Sequence, residues 1–288
     1  MIRVRTFRQI LQVTKWSFID WLMDVRQIFV LIVLVCISNY TVMPLVHLAE
    51  DKKVPMNITE PFLANINSIY VILIILICWL VLISDYPKME GNNGYILIRI
   101  NRIVWLMGKV FAFVLASVFY IIELFAVYTI RAANVCFVAN GWSYLMKDFA
   151  EKYMGEVNEY AVVCYVDERL FNHYLPYQAI GKTFLLLFGL FSMFGLIMIA
   201  ASLGKSKMTG LILNLILIIG GFAILQAGSM IRCWLPVANV MLASQATALI
   251  RLIDPGFSLI YFGVGCGILL LCSVVLVRWG QIQKDGER

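Results

Sequence analysis

Glu123 stands inside the apolar run from Val110 to Ile130, and its carboxylate is the group in this chain whose surroundings make its chemistry most conspicuous. A charge at the centre of a membrane helix costs roughly 2.5–3.5 kcal/mol on insertion scales, so such a group lines a cavity or pairs with a neighbour. Two readings stay open: a place beside a transport route, or a neutral acid hydrogen-bonded to an adjacent helix, with Ser117 and Tyr120 close by in sequence. Phosphate chemistry is not built in. A Walker loop needs a glycine five residues before its Gly-Lys-Ser/Thr, so that backbone N–H groups can cradle the phosphates. Gly181-Lys182-Thr183 has Pro176 at that place and Gly204-Lys205-Ser206 has Ile199. Neither H-E-x-x-H nor C-x-x-C occurs, and His47 and His173 are the two histidines, so no zinc site is expected. No G-x-S-x-G elbow or coherent Ser-His-acid set appears. The chain is expected not to be an enzyme by itself and to bind no cofactor or metal.

What must position Glu123 is a membrane helix. The 288 residues are 62% hydrophobic and 14% charged, with a mean hydropathy of +0.88, outside the range of soluble domains. No secretory signal peptide is expected, because the first 27 residues carry charges throughout and lack an uninterrupted apolar stretch. A bilayer core of about 30 Å takes about 20 apolar residues per helix. Six segments satisfy that rule: 28–46, 66–84, 110–130, 180–203, 211–228 and 257–277. The fold class read from this is an all-α integral membrane protein of six spans forming one domain.

Orientation follows from the loops. With the N-terminus inside, the internal segments hold 14 Lys and Arg against 6 Asp and Glu, while the external ones hold 9 against 10. Positive charge on the cytoplasmic face is the expected bias, which puts both termini in the cytoplasm of an inner or plasma membrane. The net charge of +6 is then a juxtamembrane property facing anionic lipid, and no nucleic-acid partner is expected.

The intervals carry further expectations. Residues 1–27 space Phe7, Ile10, Leu11, Thr14, Phe18, Trp21 and Leu22 as one face of an amphipathic helix lying on the inner membrane surface. The 85–109 segment runs from Asp85-Tyr86-Pro87 through Gly91-Asn92-Asn93-Gly94 to Tyr95, Arg99, Arg102, Trp105 and Lys109, implying a short cytoplasmic helix with both arginines on one face. The external interval 131–179 predicts an amphipathic helix from Gly141 to Tyr153 and, over Tyr160–Val166, a strand or buried turn. Of the external thiols Cys136, Cys164 and Cys233, the pair Cys136–Cys164 within one loop is the natural candidate for a disulfide. Asn57-Ile58-Thr59 fits the glycosylation pattern, and Gly263 with Gly267 forms G-x-x-x-G in the last span, expected to pack helices within the subunit.

The sequence from Asp85 to Lys109, D-x-P, a glycine turn and Y-x-x-x-R-x-x-R-x-x-W-x-x-G-K between spans two and three, resembles the permease subunits of bacterial ABC-2 type ABC transporters. Leu235-Pro236-Val237-Ala238-Asn239 through Asp254-Pro255-Gly256-Phe257 to Tyr261 is similar to the external re-entrant region before the last span of such permeases, here 229–256. The resemblance implies that 85–109 is a coupling helix with Tyr95, Arg99, Arg102 and Trp105 in the element that docks on a separate ATP-binding subunit. It also implies a second permease chain, with ATP and Mg on the partner subunit, and membrane lipid around the whole. The long 131–179 interval departs from the family pattern and is read as an external cap. The expected function is the conduit of an exporter for an amphipathic or hydrophobic cargo such as a lipid, drug or peptide. An ion-coupled secondary transporter is the alternative, and a non-transporting scaffold or immunity protein a third.

Overall fold

The computed structural model describes residues 2–87, 100–147, 162–204, 206–228, 231, 234–245 and 255–285. Helix dominates, because backbone groups in hydrocarbon must find partners within their own segment. α1 (Ile2–Leu22) leads into α2 (Val25–Lys52), with Asp24 between them accepting from the backbone N of Arg26 at 3.1 Å to start the second helix. α2 ends on Lys53 in the left-handed region (φ 54°), whose N–H closes on Ala49 and Glu50 carbonyls. After β1 (Met56–Asn57) come α3 (Glu60–Ile66) and α4 (Ile69–Ile83). α5 (Arg102–Ala132) starts on the Asn101 side chain, which accepts from Ile103 N, and runs into a 3-10 turn (Ala133–Val135) and β2 (Cys136–Phe137). α6 (Glu168–His173) precedes α7 (Pro176–Leu203), which opens on a proline at its first position, where no N–H is needed. α8 (Lys207–Gln226), α9 (Leu242–Gln245) and α10 (Pro255–Asp285) complete the order.

Among the described residues five helices, α2, α5, α7, α8 and α10, are long and apolar enough to cross a membrane, and a sixth crossing results if α3 and α4 count as one broken span. All six expected segments fall on helix, but the second differs from its expectation. Instead of one rod over 66–84, α3 and α4 meet at 84°. The backbone leaves the helical region at Ser68 (φ −84°, ψ 124°), just past the point where Asn67 Nδ2 donates to Leu63 O at 2.8 Å and Asn65 Nδ2 to Pro61 O at 2.7 Å. Asn67 Oδ1 in turn accepts from Ala243 N at 3.0 Å, fixing the bend from outside.

α7 is the most enclosed of the long helices and α10 the most exposed, and these two form the most extensive helix pair. α1 is not simply a surface float. It packs along the first half of α5, with Val13 so close to Gly108 that an added Cβ there would lie 2.6 Å from a Val13 methyl, and Thr14 Oγ1 reaches Gly108 O at 3.2 Å. The inner face is Val13, Thr14, Ser17 and Trp21, while Phe7, Leu11 and Leu22, expected on the same stripe, are exposed beside Arg8, Lys15 and Trp16. The outward face keeps the mixture of aromatic, aliphatic and basic groups that suits a headgroup layer.

β1 and β2 form a two-stranded parallel ladder, Met56 opposite Cys136 and Asn57 opposite Phe137, which ties the α2–α3 connection to the far end of α5. Within the expected external helix only 144–147 is described as helical, and 148–161 lies outside the described residues. Residues 162–166 belong to no regular element among the described residues, and Val162, Cys164 and Val166 are buried while Val163 and Tyr165 are exposed, an alternation of period two.

Candidate functional site

A column of aromatic rings joins four helices at the centre of the bundle. Trp79 of α4 stacks on Tyr120 of α5 at 5.1 Å between centroids and meets Phe191 of α7 at 4.8 Å, Phe113 of α5 at 5.4 Å and Trp21 of α1 at 6.3 Å. Two glycines of α7 let neighbouring helices close in. Phe113 lies over Gly195, where a Cβ would sit 1.9 Å from the ring, and Phe262 of α10 lies over Gly189, where it would sit 2.8 Å away. Between these two close approaches α5, α7 and α10 leave a cavity of about 340 Å³. Its walls include Phe113, Phe188, Leu196, Phe262 and Leu270, and among the described residues no charged side chain lines it. Such a volume lies in the small-molecule range of about 300–1,000 Å³.

The column continues to one end of the bundle. Phe113 faces Tyr86 at 5.4 Å, and the Tyr86 hydroxyl donates to Lys109 O at 2.5 Å. Lys109, itself buried, holds its ammonium 5.9 Å from the Tyr86 and Trp105 ring centres. Next to Tyr86, Asp85 gathers three elements: Arg26 of α2 pairs with its carboxylate and donates to Ser84 Oγ at 2.8 Å, while Lys207 of α8 donates to the Asp85 carbonyl at 3.2 Å.

The opposite end is closed by a different device. Glu60, fully buried at the start of α3, accepts from Asn57 N at 2.8 Å, Ser143 N at 2.7 Å and Ser143 Oγ at 2.7 Å. Asn57, also fully buried, donates to Ala139 O at 2.6 Å and Gly141 O at 2.9 Å and accepts from the Thr59 N–H and hydroxyl. The Asn57 sequon is therefore consumed by the fold and offers no amide for glycosylation. The 235–243 segment covers the same end. Val237, Ala238, Asn239, Val240, Met241 and Leu242 are buried, and Ser258 Oγ of α10 donates to Asn239 Oδ1 at 2.9 Å. A Cβ on Gly221 of α8 would meet Val237 at 2.9 Å. Residues 246–254 of the expected 229–256 region lie outside the described residues.

The residues singled out from sequence are distributed as follows. Tyr95 and Arg99, with all of 88–99, lie outside the described residues. Arg102 and Trp105 are not on a separate coupling helix but on the first turns of α5, continuous with the span, because Asn101 caps that helix directly. Trp105 is buried beneath Lys109 rather than presented outward, and its indole nitrogen has no partner among the described residues. Glu123 is half-buried on α5, and its Oε2 is enclosed without a hydrogen-bond partner among the described residues. The neighbours expected to serve it are engaged elsewhere, Ser117 with Phe113 O and Tyr120 with Ile75 O.

Cys136 and Cys164 are free thiols, so the expected bridge is not formed. Cys136 is held in β2 opposite Met56, whereas Cys164 is buried in the 162–166 segment with Ser68 hydrogen-bonded to it, so each is fixed by its own neighbours. Burial, with a smaller contribution from the Glu60 charge, pushes the Cys136 thiol up to about 11, and burial raises Cys164 as well. A Cβ on Gly263 or Gly267 would meet nothing within 4 Å among the described residues, so among them this G-x-x-x-G makes none of the close helix contacts expected of it. Among the described residues no group of three or more His, Cys, Asp or Glu converges in the manner of metal ligands.

Sequence reasoning missed Glu60, although Asn57-x-x-Glu60 ahead of a helix, a relative of the capping box, was the available signal. It also missed the cavity, whose makers Gly189 and Gly195 look in sequence like ordinary membrane-helix glycines. Comparison with known proteins adds no relative: no family model, no curated protein and no solved structure matches this chain.

Proposed function

We propose that this chain is the membrane-spanning permease subunit of an ATP-binding cassette exporter, with the cavity among α5, α7 and α10 as part of the route for an amphipathic or hydrophobic cargo. A separate ATP-binding subunit drives it and a second permease chain completes the pathway. The Asp85 end faces the cytoplasm in this reading, where the 85–109 segment is gripped by the ATPase. The observation that carries the reading is the packed path from that end to the cavity, Lys109 to Tyr86 to Phe113, since Phe113 is at once the neighbour of Tyr86 and a cavity wall. Packed side chains transmit displacement because interiors have few voids to absorb it. The Asp85 knot joins the same loop to α2 and α8, so a push on it is shared by three elements. Support also comes from the motif between spans two and three and from the balance of Lys and Arg between alternate loops.

The test is transport in inside-out vesicles from cells expressing the chain with a co-encoded ATPase. ATP-dependent accumulation of an apolar dye is expected, abolished by a non-hydrolysable analogue and by Arg102→Glu. Accumulation that persists without ATP and collapses with the proton gradient would overturn the exporter reading.

One observation favours the ion-coupled alternative. A span broken at 84° is a frequent feature of secondary transporters, where bent backbone lines the ion site. The unpartnered Glu123 oxygen is the carboxylate that mechanism would use. Glu123→Gln separates the two readings: an ATP-driven exporter retains transport, whereas a proton-coupled carrier loses it.

A further inference from the structure

We infer that the outward face of α1 is a binding surface for anionic phospholipid, that Arg8 and Lys15 hold the headgroups, and that lipid bound there braces α1 against α5. The fold fixes which way this face points. Thr14 Oγ1 bonded to Gly108 O and Val13 set against Gly108 turn one side of α1 onto α5, and Trp21 reaches Trp79 at 6.3 Å, which together set the rotation of α1 about its own axis. Arg8 and Lys15 are exposed on the opposite side. Seven residues apart, they differ by about 20° around the helix and stand about 10.5 Å apart along it, so both project from one line. Among the described residues neither has an ion-pair partner. The single acid in residues 1–22, Asp20, is kept off that line, bordering a small crevice with Ser17, Asp85 and Lys109. Charge is thus sorted around α1, with cations alone on the outward line.

Two further observations name the partner as a lipid surface. Thr14, next to Lys15, touches Gly108, and the following residue of α5 is Lys109, at the end of the bundle where Arg26, Asp85 and Lys207 gather. Charges collect where the hydrocarbon ends, so Lys15 stands at headgroup depth. Met23 and Asp24 alone separate α1 from α2, a helix long enough to span, which keeps α1 beside the bilayer. The second observation is apolar. Phe7, Leu11 and Leu22 are exposed on one flank of the cationic line and Trp16 on the other. A bilayer boundary supplies acyl chains to the flanks and phosphates to the cations at once, whereas an acidic protein patch matches only the cations. Each Lys or Arg near an anionic surface contributes a factor of about five in binding, so two of them distinguish an anionic from a zwitterionic headgroup. Trp21 also meets Phe119 of α5 at 6.1 Å, so lipid that binds α1 in this packed position stabilises the α1–α5 contact by linkage. The inference stands apart from the exporter reading, since it uses neither an ATPase nor a direction of transport.

The test uses the purified full chain in phosphatidylcholine nanodiscs doped with a phosphatidylglycerol or a phosphatidylcholine that carries the same photoreactive group beside the phosphate, at equal mole fraction. Crosslinks are mapped on peptic peptides by mass spectrometry. At low salt the phosphatidylglycerol probe is expected to label α1 peptides many-fold more than the phosphatidylcholine probe, and Arg8→Gln or Lys15→Gln should each cut that preference about fivefold. The double variant should erase it, while Arg8→Lys with Lys15→Arg should keep it. Arg131→Gln, which removes an exposed cation at the far end of α5, should leave labelling of α1 unchanged. Added salt should shrink the preference, because the cations are exposed. The melting temperature should rise when unlabelled phosphatidylglycerol is added to the discs, and the double Gln variant should lose that rise. Equal labelling of α1 by the two probes, a preference that survives the double Gln variant, a preference shared equally by peptides of the whole chain, or a melting temperature indifferent to phosphatidylglycerol would each overturn the inference. Should the double Gln variant fail to fold, the two single variants decide.

Discussion

At the Glu60 end of the bundle a fully buried carboxylate receives three hydrogen bonds from two separate segments, whereas at the Asp85 end a carboxylate about half exposed pairs with an arginine that is itself a third exposed. Both knots join elements distant in sequence, yet their energetics are opposite. The enclosed one loses heavily if any donor is orphaned, because desolvated N–H groups have no water to fall back on. The open one loses little, because water and salt screen an exposed pair and its side chains regain freedom. Under the exporter reading this asymmetry would serve a chain driven from one face, with the Glu60 end holding its shape while the Asp85 end exchanges partners.

The largest expected effect is at Glu60. Glu60→Ala strands Asn57 N, Ser143 N and Ser143 Oγ and opens a void, at about 1–3 kcal/mol for each orphaned group. In a thermal unfolding assay in detergent the variant should melt far below the unaltered chain, with proteolysis appearing first on either side of Ser143. A variant that melts within a degree of the parent would break the comparison, since the enclosed knot would then be no stronger than the exposed one.

Next in size is the thiol beside that knot. With Cys136 pushed up to about 11, its alkylation should climb about tenfold per pH unit from 7 to 9 without levelling. An accessible thiol levels off near its ordinary value of about 8.5. Glu60→Gln removes the negative charge that contributes to the shift and should bring the Cys136 midpoint down, with faster labelling at a fixed pH. Unchanged labelling would show that the carboxylate carries no charge while the thiol titrates. The same alkylated peptides, read without reductant, should show Cys136 and Cys164 both free.

Asn57 should matter less than Glu60. Asn57→Ala removes two donated bonds to Ala139 and Gly141 carbonyls and the acceptor for Thr59, for a loss of about 2 kcal/mol. Unfolding midpoints ordered Glu60→Ala below Asn57→Ala below the parent would sharpen the picture of one cooperative knot.

The presence of five to six long apolar helices was legible because a helix in lipid advertises itself by length and composition, as Val110 to Ile130 does despite Glu123 within it. The break between α3 and α4 was not, since it falls at Ser68, an ordinary residue in sequence, beside an Asn67 held by a contact with Ala243 far along the chain. Trp105 reads in sequence as an outward aromatic, but Lys109 one turn on lies across it, and only the fold decides which covers which. The cavity was illegible for a related reason. Gly189 and Gly195 make it only because Phe262 and Phe113 lie opposite them.

The smallest effect on stability, and the one that bears most on mechanism, is expected at Asp85. Asp85→Asn removes the ion pair with Arg26 but leaves the backbone carbonyl that accepts from Lys207, so stability should fall by less than about 1 kcal/mol. Activity should not follow stability. If the Asp85 end passes motion from an ATPase to Tyr86 and Phe113, the variant should hydrolyse ATP in the assembled transporter at a rate near the parent's while moving several-fold less cargo per ATP. Raising the salt concentration should weaken the parent's coupling in the same direction, because the pair is exposed. A loss of transport matched by an equal loss of hydrolysis would place Asp85 in holding the ATPase rather than in transmitting its stroke. A large drop in melting temperature would show that this end is as rigid as the Glu60 end, and the division of labour between the two would not stand.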